Sequence, residues 1–376
     1  MKLSAILKIP IFLALLVFWF ACSKNSTEPV PTVETPALLD DGWEVASLES
    51  QGISSQRISW ISNRIAAVEF GEIHSMLIVR HGRLVFEQYY RDTRRDDLHV
   101  MFSVTKSVAS ALIGIALEKG FINSLDQTLG ELFPEHAAIL DADSLKKSVT
   151  LQQLLTMTGG LEWDEWTFAY SDSRNDASRM ARRSDWIRFV LERPINTTPG
   201  SQFVYNSGIS VLLSGIIRNT SELQADEFAA RYLFGPLGIT EHSWERQSDG
   251  LVNTGWGLSL RSRDLAKFGQ LYLNNGVWNG EQVIASQWIQ ETIAPHAEVW
   301  EGVHYGYQWW LRQLPVSDGH VPQRNDIFHG HGYGGQFVFV IPKLDMVVVF
   351  TSGNFNADEN SPIGLLYEGI IDAVVD

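Results

Sequence analysis

Short apolar runs rich in β-branched residues stand near both ends of this chain, and that placement restricts its fold more than any other feature. Met76–Val79 and Leu84–Phe86 lie early, separated by Arg80-His81-Gly82-Arg83. Gln336–Ile341 and Met346–Phe350 lie late, separated by Pro342-Lys343-Leu344-Asp345. Each pair reads as a β-hairpin, because apolar strands broken by a short polar turn favour that geometry. Between them the pattern is mostly helical from Ser103 to Leu223, with Lys106–Gly120, Leu151–Met157 behind Thr150, and Ser184–Leu191. Further helices are predicted over Ser55–Phe70 (Ile58, Ile61, Ile65 and Ala66 on one face, Ser55 as N-cap), Leu265–Leu273 and Pro362–Val375. The expectation is an α/β (α+β) fold: an antiparallel sheet built from the N- and C-terminal segments, flanked by helices, with an inserted mostly helical domain. Residues 46–102 and 225–376 would form the α/β part and 103–224 the helical part.

The 376 residues suit one large or two intergrown globular units. Lys+Arg 29 against Asp+Glu 44 gives a net charge of −15, which repels phosphate backbones, so no nucleic-acid partner is expected. One cysteine excludes an intramolecular disulfide and a Cys-rich metal site. That cysteine, Cys22, sits where the apolar run Ile9–Ala21 stops, behind Lys2 and Lys8. The run is too short to span a bilayer as a helix and suits a signal-peptide core. A solvated stretch of Pro, Thr and Glu follows to about Pro36. Residues 1–21 are therefore read as a signal peptide and 22–45 as a tether. The leader resembles that of a bacterial lipoprotein, which implies a lipid on Cys22 and a membrane anchor on the periplasmic or outer-membrane face of the cell envelope. A plain secretory signal with an incidental cysteine is the other reading.

Three segments could carry chemistry. In Met101-Phe102-Ser103-Val104-Thr105-Lys106-Ser107, ahead of the apolar helix Val108–Leu117, Ser103 and Lys106 share one helical face. A serine hydroxyl needs a base, and a lysine serves if desolvation lowers its pKa. The pattern S-x-x-K recurs at Ser144-Leu145-Lys146-Lys147, but there it follows Asp141-Ala142-Asp143 and reads as a solvated turn. The second segment is Val204-Tyr205-Asn206-Ser207-Gly208. Tyr205 is either a half-buried turn aromatic or a proton shuttle whose pKa neighbouring cations depress. The third is His329-Gly330-His331-Gly332-Tyr333-Gly334-Gly335-Gln336, just before a predicted strand. Its glycines allow close backbone approach, and its histidines are either polar loop residues or functional ones. It matches G-x-G-x-x-G, but a nicotinamide site needs a helix after it, and a strand follows here. No G-x-S-x-G elbow occurs, nor H-E-x-x-H, C-x-x-C or a P-loop, and no cofactor or metal is expected.

In that order, the three segments resemble the serine β-lactamase and penicillin-binding-protein superfamily, and most closely its class C β-lactamase-like serine hydrolases. The likeness extends over roughly Gln51 to Val374. It includes Thr150–Leu161, Gly257–Leu260 with Phe268–Tyr272, and Tyr305–Trp310. The resemblance implies a β-lactamase/transpeptidase-like fold, with Ser103 as acylated nucleophile, Lys106 as its base and Tyr205 as shuttle. It also implies an oxyanion hole from the N–H groups of Ser103 and Tyr333. Ser207, His331, Gly332 and Gly334 would contact the substrate. Two departures stand out: Ser207 where β-lactamases have the Asn of Y-x-N, and His331-Gly332 where they have K-T-G. The missing lysine, which would hold a β-lactam carboxylate, favours esters or amides. The H-G-Y-G-G-Q form looks like the 6-aminohexanoate-dimer hydrolase and esterase branch. The expected partner is a small-molecule ester, amide or peptide. A D-amino-acid peptidase, DD-carboxypeptidase or β-lactamase-type activity, or a catalytically silent envelope binding protein, remain as alternatives. Trp163, Trp166, Phe168, Tyr170, Trp309 and Trp310 either line the cleft or belong to the core.

Overall fold

The computed structural model describes residues 33–314, 326–355 and 357–375. The expected signal segment 1–21 and Cys22 lie outside the described residues. Among the described residues no helix is long and apolar enough to cross a membrane.

Both terminal hairpins form, and they meet at the centre of one sheet. Among the described residues its strands are β1 (Glu44–Val45), β2 (Ile73–Arg80), β3 (Arg83–Tyr89), β4 (Ala297–Trp300), β5 (Val303–Tyr305), β6 (Trp310–Arg312), β7 (Ile327–Gly332), β8 (Gln336–Ile341) and β9 (Met346–Ser352). Their spatial order is β1-β3-β2-β9-β8-β7-β6-β5-β4. The chain ends are joined by β2 and β9, which pair antiparallel with Val79 opposite Val347 and Leu77 opposite Val349. One departure from the antiparallel expectation is β1, which runs parallel to β3. No tight turn links β1 to its neighbour, so nothing local fixes its direction.

The central strands read as nearly continuous apolar runs because both faces are covered. Leu77, Val79, Val338, Val340, Val347 and Val349 face one core, against helices α2 (Val104–Glu118), α3 (Ser207–Ser221) and α4 (Ser262–Leu273). The alternate residues Met76, Ile78, Phe337, Phe339, Val348 and Phe350 face the other, against α1 (Ser55–Ala66) and the C-terminal helical turns. A two-residue period therefore sorts each strand between two cores. On the first face, a Cβ on Gly269 would stand 2.6 Å from Val347 Cγ1, so that glycine sets how closely α4 lies on β9.

Local signals placed most elements within a few residues. α1 is capped by Ser54 rather than Ser55, whose neighbour's Oγ accepts from Arg57 N, and it ends at Ala66 rather than Phe70. Thr150 caps the helix Leu151–Leu155 in a capping box with Gln153. The H-G-H-G run, expected as a loop ahead of a strand, is itself strand β7. Pairing with β6 and β8 on both sides outweighs the poor strand propensity of its glycines.

Candidate active site

The site forms where α2 begins. Met101 N–H donates to Leu258 O, and Phe102 then adopts φ 45°, turning the chain so that Ser103 becomes the N-cap of α2. A bulky residue in that left-handed region is strained, and the Phe102 ring is held by edge contacts with Tyr333 at 5.8 Å and Phe355 at 5.6 Å. The Ser103 hydroxyl makes no capping bond to its own helix. It accepts instead from Lys106 Nζ at 2.8 Å.

The helix α2 is apolar on nearly all sides and buried from Val104 to Ala116, which takes Lys106 into the interior at 1% exposure. Its amine also donates to Gly255 O at 2.8 Å. That carbonyl is fixed by Asn253 Oδ1, which accepts from Gly255 N and Trp256 N. Desolvation pulls the Lys106 pKa down to about 8, partly opposed by the negative charge of Glu165.

Tyr205 enters from the loop just before α3, which Asn206 caps by accepting from Ile209 N at 3.0 Å. Tyr205 and Ser103 line the same cavity, and Lys106 Nζ lies 4.9 Å from the centre of the phenol ring. Trp166 and Trp310 stack on the ring at 5.6 Å and 5.7 Å. The shuttle reading supposed a depressed phenol pKa. The structure corrects this: burial, with Glu165 adding to it, pushes the phenol up, so Tyr205 is a neutral donor at neutral pH.

Glu165 escaped the sequence reading. Its buried carboxylate accepts from Ser207 N (2.9 Å) and Ser207 Oγ (2.5 Å), from Trp163 Nε1 (2.8 Å) and from Tyr170 OH (3.0 Å). The Ser207 hydroxyl is thus engaged by Glu165. A pair of acids between tryptophans in Trp163-Asp164-Glu165-Trp166 was the available signal, and it does not say which acid turns inward.

At the end of β7, His331 stacks on Phe337 at 4.2 Å, and burial with the nearby Arg312 charge lowers its pKa to about 3. A Cβ on Gly332 would sit 2.2 Å from Met101 O, so this glycine lets β7 pass directly beside the segment bearing Ser103. Gly334 has φ 78° and donates its N–H to Glu359 Oε2 at 3.1 Å. Tyr333 lies between them, its ring 4.9 Å from that of Tyr170.

Ser103 stands on the walls of two adjoining cavities. The larger, about 690 Å³, is lined by Tyr205, Trp166, Trp310, Arg312 and His331 among others. The smaller, about 210 Å³, is mostly apolar and includes Phe102, Tyr170, Ser207, Trp256 and Tyr333. Of the aromatic set, Trp166, Phe168, Tyr170 and Trp310 line the larger cavity. Trp163 and Trp309 are instead buried in the core, Trp309 between Phe268 and Phe328. The second S-x-x-K forms a short helix, Ser144–Lys147, in which Lys146 is buried while Ser144 and Lys147 are exposed and Lys147 pairs with Asp141. Among the described residues, no three His, Cys, Asp or Glu side chains converge to hold a metal.

A serine, a buried amine and a phenol at the head of an apolar helix, beside the end of an interior strand, define the architecture of β-lactamases and their transpeptidase-like relatives. The Beta-lactamase family model matches residues 69–364, and the chain belongs to that family. It is 24% identical over 298 residues to 6-aminohexanoate-dimer hydrolase of Paenarthrobacter ureafaciens, covering 73% of this chain and 71% of that protein. A Bacillus anthracis structure provisionally named 6-aminohexanoate-dimer hydrolase superposes with TM-score 0.68 at 25% identity, covering 82% of this chain and 80% of the other. EstCE1, a hydrolase with promiscuous acyltransferase activity, shares the fold with TM-score 0.69 at 16% identity over 88% of this chain and all of its own. The family and these neighbours are hydrolases.

Proposed function

We propose that the chain is a serine hydrolase that cleaves an ester or amide of a small molecule or peptide through an acyl-enzyme on Ser103. One observation supports this above the others: the Ser103 hydroxyl is hydrogen-bonded to a desolvated amine, beside a buried phenol, where two cavities meet. In the neutral form, Lys106 takes the hydroxyl proton as Ser103 Oγ bonds to the carbonyl carbon and the carbonyl electron pair moves onto oxygen. That oxyanion would lie against the N–H groups of Ser103 and Tyr333. Neither N–H donates to another group among the described residues.

Tyr205, kept protonated by burial, gives its proton to the leaving oxygen or nitrogen as that bond breaks, and recovers one from Lys106. Water then attacks the acyl-enzyme, losing its proton to the same pair, and Ser103 is regenerated. His331, Gly332 and Gly334 shape the wall beside the carbonyl rather than moving protons, and Ser207 acts through Glu165. The leader supports a further part of the proposal, that Cys22 is lipidated and the catalytic domain faces the envelope. Ser103→Ala assayed on short-chain 4-nitrophenyl esters tests the reading. Turnover should fall by about 10³-fold or more, and undiminished turnover would overturn it.

A further inference from the structure

The larger cavity is lined by a cation that meets no counter-charge among the described residues. Elsewhere, guanidinium groups taken into the interior are paired. Arg263, 4% exposed, meets Glu87 at 2.9 Å and Asp41 at 2.6 Å. Arg193 meets Glu162 at 2.9 Å and Asp176 at 3.7 Å. Arg80 donates to the carbonyls of Gln51, Gly52 and Leu344. Arg312 differs. It projects from β6 into the cavity wall, and among the described residues its one hydrogen bond runs from Nε to His329 Nε2 at 3.1 Å, with no carboxylate in ion-pair range.

The two acids on the same wall are engaged otherwise. Glu165 has its four donors, and Glu359 accepts from Gly334 N. The neighbouring imidazoles carry no charge to offset it, since burial and the guanidinium itself pull His329 well below its ordinary value and His331 to about 3. A half-buried cation without a counter-ion is costly, and a planar fork of N–H donors is shaped for a carboxylate. In a chain of net charge −15, a cation on the wall of the cavity that also holds the nucleophile favours an anionic ligand.

We propose that Arg312 is a substrate-binding residue and that the preferred ester or amide carries a free carboxylate, which seats on the guanidinium while the scissile carbonyl lies at Ser103. This rests on the serine-hydrolase reading above. It also restores, from strand β6, a cation that the H-G-Y-G form of the third segment lacks.

The test uses two pairs of esters, each a free acid and its methyl-capped counterpart. One pair has the carboxylate on the acyl side (4-nitrophenyl hydrogen adipate), the other on the leaving-group side (4-acetoxybenzoate). Wild type should favour the free acid of at least one pair in kcat/KM by about 10- to 100-fold, and Arg312→Gln should remove that preference. Arg312→Lys should restore part of it. Adipate should also protect Ser103 of the wild type, but not of Arg312→Gln, from a fluorophosphonate. Because the readout is a ratio within one variant, general damage from the substitution cancels. If wild type hydrolyses no ester and takes no fluorophosphonate, the hydrolase reading fails and this inference with it. If it hydrolyses both members of each pair equally, or Arg312→Gln keeps the preference, the hydrolase reading stands and the carboxylate site is refuted.

Discussion

Raising the pH from 6 to 9 should switch on catalysis through Lys106. With its pKa at about 8, the neutral fraction of the amine rises from about a tenth at pH 7 to about nine tenths at pH 9, so kcat/KM should climb roughly tenfold over that interval. The assay is kcat/KM on a neutral 4-nitrophenyl ester, whose own charge is constant, with the hydroxide background taken from Ser103→Ala. Glu165 holds the amine up by its negative charge, so Glu165→Gln should move the limb to lower pH. The sign for stability follows from the same shift. The folded amine titrates below the unfolded one, so the unfolded chain binds more protons between about pH 8 and 10.5, and Lys106 adds stability as pH rises through that window. Lys106→Met should remove this pH dependence. A limb near the ordinary lysine value, a flat profile from pH 6 to 9, or an upward movement in Glu165→Gln would refute the reasoning.

Other substitutions separate proton transfer from packing. Tyr205→Phe keeps the ring between Trp166 and Trp310 but removes the donor, so kcat should drop by about 10²-fold or more with circular dichroism unchanged. Trp166 is 56% exposed and stacks on Tyr205. Trp166→Ala should leave the melting temperature within a few degrees and lower kcat about 3- to 10-fold through a looser phenol, a change steady-state kinetics would read. Gly332→Ala places a Cβ 2.2 Å from Met101 O, which should destabilise the fold by about 1–3 kcal/mol in chemical denaturation and displace the Ser103 segment. Glu165→Ala strands four buried donors and should cost about 3–5 kcal/mol by the same measurement, with Glu165→Gln milder.

The sequence disclosed elements whose signals are local or periodic. The unbroken apolar runs Met76–Val79 and Met346–Phe350, each beside a polar turn, pointed to both hairpins, and the helical pattern behind Ser103 pointed to α2, because burial on two faces or all round leaves a continuous apolar record. Spacing put Lys106 within reach of Ser103, since three helical positions fix that distance whatever the tertiary context. Charged residues that act from afar left no such record. Arg312 follows the run Trp309-Trp310-Leu311 and Glu165 stands among other acids, and what each faces depends on which strand or loop turns it inward. The direction of the Tyr205 shift was missed for a related reason. Its environment comes from Trp166, Trp310 and Glu165, which lie from 40 residues before it to 105 after it.

Covalent capture reads the central idea with the fewest intermediate assumptions. The full chain is treated with a fluorophosphonate or a slowly hydrolysed ester, its intact mass recorded, and the modified peptide sequenced. A single adduct on Ser103, lost in Ser103→Ala and slowed in Lys106→Met, is the outcome expected of a hydroxyl activated by a buried amine. An adduct on a different residue, or none at all while ester turnover persists, would contradict it.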